Sequence, residues 1–131
     1  EAVALYEKVI KLKPDYADAY FNFGCVLQKL RMFEKAESLY KKALELQINS
    51  PSIYLNLANT LQYLKKLEEA RTIFEKVLSL DFKDEMIKLL PLIMTAYGRL
   101  LLKLNEHKKG LEFIRQGQGV IIFRQSGLEI I

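Results

Sequence analysis

Residues 17–50, ADAYFNFGCVLQKLRMFEKAESLYKKALELQINS, decide the architecture, because residues 51–84 repeat their order of large and small side chains in register. Tyr20, Phe23, Gly24 and Leu27 are followed 34 residues later by Tyr54, Leu57, Ala58 and Leu61. Ala36, Tyr40 and Ala43 are followed at the same distance by Ala70, Phe74 and Val77. Within each stretch the apolar residues recur every three or four positions, the stripe of an amphipathic helix. Arg31-Met32 and Lys65-Lys66 break each stretch into two such stripes, so each folds as two antiparallel helices, about 17–30 with 33–46 and 51–64 with 67–80. Ser50-Pro51 marks the start of the second pair, since Pro at the first helical position gives up an N–H that has no partner there anyway. The recurring small residues stand where two helix backbones approach, and the large ones fill the gaps between neighbouring helices.

The period extends in both directions. Upstream, Ala2, Leu5, Tyr6, Val9 and Ile10 form one amphipathic stripe that ends before Pro14, the second half of a unit. Downstream, Met94, Tyr97, Gly98, Leu101, Gly110, Ile114 and Gly117 reproduce the pattern six residues late. The extra residues fall in FKDEMIKLLP, 82–91, which allows a separate short turn before a helix beginning at Pro91 or one long helix over about 84–104 with Pro91 as the point where it can kink; the long helix is the preferred reading. After Gly117 the period changes. Val120–Phe123 and Leu128–Ile131 are short β-branched runs joined by Arg-Gln-Ser-Gly, which predicts a β-hairpin leaning on some neighbouring surface.

An aromatic, a small residue and a further large residue in one helix, then Ala and an aromatic in the next, over 34 residues, is the tetratricopeptide pattern, and this chain resembles that family. The resemblance covers residues 1–117: a half repeat at 1–16, repeats at 17–50, 51–84 and 91–117 with an insertion at 85–90, then an extension at 118–131. Ile48 and Phe82 depart from it, since the pattern has Pro near the end of each unit. The implied fold is all-α, a right-handed superhelix of antiparallel helix pairs carrying the terminal hairpin.

The resemblance also implies a concave groove lined by the first helix of each pair, which binds an extended peptide or a partner helix. Carried over position by position, the groove residues are Phe21, Asn22, Cys25, Gln28 and Lys29, then Leu55, Asn56, Asn59, Gln62 and Tyr63, then Thr95, Arg99, Leu102 and Lys103. Asn22 and Asn56 occupy the same repeat position, and an amide that both donates and accepts can grip a peptide backbone of any sequence. This is similar to the asparagine ladder of some members, although Ala96 stands at the next rung. A carboxylate clamp of Lys, Asn and Arg is incomplete, because Arg99, Lys103 and Asn56 do not fall in its register.

Composition narrows the function classes. Half of the 131 residues are hydrophobic and the 27% that are charged are interspersed, which suits soluble amphipathic helices and excludes a disordered chain. The net charge of +4 is spread among acids, so nucleic-acid binding is disfavoured. The richest apolar stretch, 87–104, is interrupted by Lys88, Pro91, Arg99 and Lys103, so no membrane span is expected. Cys25 is the single cysteine and His107 the single histidine, which argues against a metal site and fits a reducing, cytoplasmic setting. Gln116-Gly117-Gln118-Gly119 lacks the Lys-Ser/Thr end of a phosphate loop, and Glu68-Glu69 and Asp84-Glu85 sit at helix starts, where the helix dipole accounts for them. Neither a cofactor nor catalysis is expected of this segment. Glu1 begins inside a helical pattern, so the chain is read as a fragment of a larger protein. Its first reading is an interaction module with a protein or peptide partner. Self-association through the hairpin or the solenoid ends, and a recognition arm of a multidomain transferase or oxygenase, compete with it.

Overall fold

The computed structural model describes residues 2–47, 50–80 and 84–126, whose regular structure is entirely helical. Seven helices follow in order among these residues: α1 (Ala2–Leu12), α2 (Ala17–Lys29), α3 (Phe33–Leu46), α4 (Pro51–Tyr63), α5 (Leu67–Ser79), α6 (Asp84–Lys103) and α7 (His107–Ser126). They divide into two units, Glu1–Leu80 with α1 to α5 and Asp81–Ile131 with α6 and α7.

In the first unit each helix packs on its neighbours in sequence, and α2 also touches α4, which is how stacked helix pairs build a solenoid. The residues that repeat in the sequence form its core. Ala36, Tyr40, Ala43, Ala58, Ala70, Phe74 and Val77 are fully enclosed, with Leu57 and Leu61 nearly so. Gly24 is small because the Tyr40 ring lies on it: a Cβ at residue 24 would stand 2.7 Å from Tyr40 Cε1. Tyr6 of α1 stacks on Phe23 of α2 with ring centroids 5.8 Å apart, and the Tyr20 hydroxyl donates to the Pro14 carbonyl at 2.9 Å, tying down the α1–α2 turn.

The turns inside the pairs share one geometry. Arg31, Lys65 and Asn105 each adopt a positive φ, of 62°, 63° and 67°. Each donates its N–H to the carbonyl two residues before the helix-capping position, at Gln28, Gln62 and Leu102, while the following residue reaches back to Leu27, Leu61 and Leu101. This is the Schellman ending, which satisfies carbonyls that the helix leaves open.

A buried carboxylate links the two pairs of this unit. Glu37 of α3 is 6% exposed and accepts Lys41 Nζ at 2.7 Å and Lys66 Nζ, from the residue before α5, at 2.9 Å. Burial pushes the Glu37 carboxyl up, but the hydrogen bonds and charges of Lys41 and Lys66 outweigh it and hold the group below the ordinary carboxylate range. With the folded state the stronger acid, its stabilisation is intact above the ordinary carboxylate value and is lost as pH falls through the lowered one. Both lysines are about half exposed, so the effect is modest. Urea titrations should show the wild type losing about 1 kcal/mol more than Glu37→Gln between pH 5 and pH 3. Equal losses would mean that the pair is fully screened.

Thr60 of α4 has no exposed surface, and its hydroxyl finds no hydrogen-bond partner among the described residues. Thr60→Val keeps the shape and removes the stranded hydroxyl, so it should raise stability by about 1 kcal/mol in a denaturant titration. A loss of stability would show that the hydroxyl is bonded in solution.

The second unit is one long helix pair. Residues 84–103 form an unbroken α6 with Pro91 inside it, in agreement with the single long element expected there. α6 and α7 meet backbone to backbone: a Cβ on Gly98 would stand 2.6 Å from the Gly110 carbonyl oxygen, and one on Gly110 would stand 2.7 Å from the Gly98 carbonyl oxygen. Ile93, Leu100 and Leu101 are fully buried in this unit, and Tyr97 packs on Phe113 at 4.8 Å between ring centroids.

The C-terminal hairpin is not formed. Residues 118–126, including the Val120–Phe123 run, continue α7, and there is no strand among the described residues; Gly127 and the Leu128–Ile131 run lie outside them. Propagating an existing helix adds one backbone hydrogen bond for each residue fixed, whereas two lone strands leave half their backbone groups unpaired. The β preference of Val and Ile is too weak to reverse that balance.

Candidate partner-binding groove

The groove is built on α2 and α4, the first helices of the two complete pairs. Cys25, Gln28 and Lys29 of α2 and Asn56 and Tyr63 of α4 line an open depression of about 410 Å³. Arg31 of the α2–α3 turn and Phe33 at the start of α3 complete it.

Its floor is a polar seam. Tyr40 is buried with its ring on Gly24, and its hydroxyl donates to Gln28 Oε1 at 2.6 Å. Burial, reinforced by the neighbouring Cys25, pushes the Tyr40 phenol far up, so it remains a protonated donor at any physiological pH. Because the Gln28 oxygen is committed to Tyr40, its amide N–H groups are what the groove presents. Asn56 Nδ2 donates to Cys25 Sγ at 3.5 Å, which ties α4 to α2 across the groove; sulfur is a weak acceptor, so the contact positions Asn56 while leaving its carbonyl oxygen for another partner.

One wall is aromatic. The rings of Phe33 and Tyr63 stack face to face, with centroids 4.6 Å apart and planes inclined by 4°. The Arg31 guanidinium lies over both, 5.3 Å from the Phe33 centroid and 5.8 Å from that of Tyr63. Tyr63 keeps 56% of its surface open, so the wall is accessible to a ligand.

Other expected groove residues lie around or outside this depression. Asn22 is exposed on α2, while Phe21 is half-buried and leans on Tyr40 at 5.9 Å. Leu55, Asn59 and Gln62 are half-buried on α4 and are not part of the lining. On α6, in the second unit, Arg99 and Lys103 are exposed. Thr95 and Leu102 face α7 instead: the Thr95 hydroxyl lies 2.5 Å from where a Cβ on Gly117 would be, and Leu102 Cδ2 is 3.1 Å from that of Gly110.

Arg31 and Phe33 were not expected in the site because they belong to a turn and to a second helix. The repeat carries a signal for them. Lys29 and Tyr63 share one repeat position, at the end of a first helix, and in the fold that end comes beside the start of the preceding second helix. Among the described residues no group of three or more His, Cys, Asp or Glu could hold a metal ion, and no helix is long and apolar enough to cross a membrane.

Family models described as TPR repeat match residues 1–30, and those described as tetratricopeptide repeat match 17–50 and 51–84. The chain belongs to the tetratricopeptide repeat family, a helical-repeat fold of protein–protein interaction modules. No curated protein sequence matches it. Among solved structures it is similar to YrrB, described as a TPR protein with an unusual peptide-binding site, at 25% identity and a TM-score of 0.71 over 88% of this chain and 56% of that one. It is also similar in fold to MamA, with a TM-score of 0.80 at 16% identity over 96% of this chain and 77% of that one. For MamA from Desulfovibrio magneticus RS-1 the TM-score is 0.76 at 21% identity, over 90% of this chain and 63% of that one. The chain thus spans little more than half the length of YrrB.

Proposed function

We propose that the protein docks an extended segment of a partner protein in the groove between α2 and α4. The observation that carries this reading is the open depression in which two successive first helices present the Gln28 amide N–H groups and the Asn56 carbonyl oxygen beside an accessible aromatic wall. The likeness to YrrB, which is described as having a peptide-binding site, supports it. Asn56 and Asn22 contact the peptide backbone, and Phe21, Leu55 and Tyr63 take its apolar side chains. The α6–α7 pair is a diverged fourth repeat, on which Arg99 and Lys103 are exposed and would offer positive charge to a partner of their own unit. Self-association by a terminal hairpin has no strand to rest on among the described residues.

The test uses a peptide obtained by display selection of random dodecapeptides on the whole chain. Asn22→Ala with Asn56→Ala should weaken that peptide about tenfold, the equivalent of one or two lost hydrogen bonds, with helical circular dichroism unchanged. Unchanged affinity in the double variant removes the amides from the groove's function.

A further inference from the structure

The charge of the groove is one-sided. Lys29 and Arg31 are the two charged residues in its lining, both exposed at its rim, and neither has a carboxylate partner among the described residues. Four other basic residues of this unit do have one: Lys41 and Lys66 share Glu37, Lys42 meets Glu45, and Arg71 meets Glu68. Of the acids of α3 nearest in sequence, Glu37 is held by Lys41 and Lys66, and Glu34 makes no ion pair with Lys29 or Arg31 among the described residues. Arg31 is also held in place without spending its donors. It rests over the Phe33 and Tyr63 rings, and its side-chain N–H groups make no hydrogen bond among the described residues. A guanidinium held beside two rings with its N–H donors unspent is free to pair with a planar two-oxygen acceptor.

We propose that this groove selects acidic partner segments, an Asp or Glu carboxylate of the bound peptide being gripped by Arg31 with Lys29 beside it. Gln28 and Asn56 hold the adjoining peptide backbone, and Tyr63 covers the stem of the acidic side chain. The proposal rests on the peptide-docking reading and adds to it the chemistry of the partner. The grip comes from the α2–α3 turn and the aromatic wall, not from charges spaced along successive first helices, so it acts within a single junction between repeats.

The probe is the same dodecapeptide selection on the whole chain, run in parallel on the Lys29→Gln/Arg31→Gln variant. Wild type should enrich Asp or Glu at one fixed position, and the best acidic peptide should bind the variant at least tenfold more weakly. Its Asp→Asn or Glu→Gln counterpart should bind both proteins within about twofold, since the charge pair has then been removed from either side. Wild-type affinity for the acidic peptide should fall as salt is raised from 50 to 500 mM, and the counterpart's should change little. Selected peptides without acidic enrichment would overturn the charge assignment while leaving the docking groove standing, and so would an acidic peptide that binds the variant as well as the wild type. Failure of wild type to select any peptide defeats both readings. Should a labelled oligouridylate bind in that case, and do so through Lys29 and Arg31, the cations serve a nucleic acid instead.

Discussion

Gly98→Ala should lower the stability of the α6–α7 pair by about 3 kcal/mol, the upper end of what overpacking costs. The added methyl would meet the Gly110 carbonyl oxygen at 2.6 Å, Ile114 Cγ1 at 2.6 Å and the Ile114 backbone nitrogen at 2.9 Å. Two of those three atoms are backbone inside α7, so no side-chain rotation relieves the overlap and the helices must separate. Separation would loosen the reciprocal contact at Gly110 and the packing of Tyr97 on Phe113. The propensity effect has the opposite sign, because Ala favours a helix interior over Gly by about 1 kcal/mol. Chemical denaturation followed by circular dichroism therefore separates the explanations cleanly: a stabilised variant would show that the backbones do not touch.

The second large effect is expected at Gly24. A methyl there would stand 2.7 and 2.9 Å from Cε1 and Cδ1 of the Tyr40 ring, which has no exposed surface. The ring has to shift, and the 2.6 Å bond from its hydroxyl to Gln28 shifts with it. Gly24→Ala is expected to cost about 2 kcal/mol and to disturb the floor of the groove. The cost belongs to the pair, so it should shrink when residue 40 is made smaller. In a cycle with Tyr40→Leu, the two substitutions should couple by at least about 1 kcal/mol, and additive losses would place the effect elsewhere. The equivalent pair in the next repeat is Ala58 with Phe74, both fully enclosed, which shows that Ala is tolerated at this position when its own surroundings accommodate it.

The helix pairs were legible because the repeat states its packing twice. Gly24 and Ala58, Ala36 and Ala70, and Tyr40 and Phe74 recur at the same offset, and all of them are buried. The long α6 was also readable, since the Pro91 interruption is outweighed by a continuous apolar stripe that includes the buried Ile93, Tyr97, Leu100 and Leu101. The end of α7 was not, because a run such as Val-Ile-Ile-Phe fits a strand or a buried helix equally well by pattern alone. Gly117 held against Thr95 and the Pro91 carbonyl is a tertiary cause that no local propensity carries. At the site, period transferred Cys25, Gln28, Lys29, Asn56 and Tyr63 to one depression, while it placed Thr95 and Leu102 by analogy on positions that α7 covers. Arg31 and Phe33 lay beyond it, because what brings them to Tyr63 is the path of the chain through a turn.

That path gives the left-handed residues a meaning beyond chain reversal. Glycine is the residue that adopts a positive φ without strain, yet the three elbows are occupied by Arg31, Lys65 and Asn105. Each forgoes on the order of 1 kcal/mol that a glycine would keep, and at Arg31 the side chain so retained reaches an aromatic wall. An array organised in this way can inherit its architecture from the helix stripes and its discrimination from the elbows. Descendants of one scaffold could therefore acquire new tastes in partners by exchanging single elbow residues, with every helix contact left as it was.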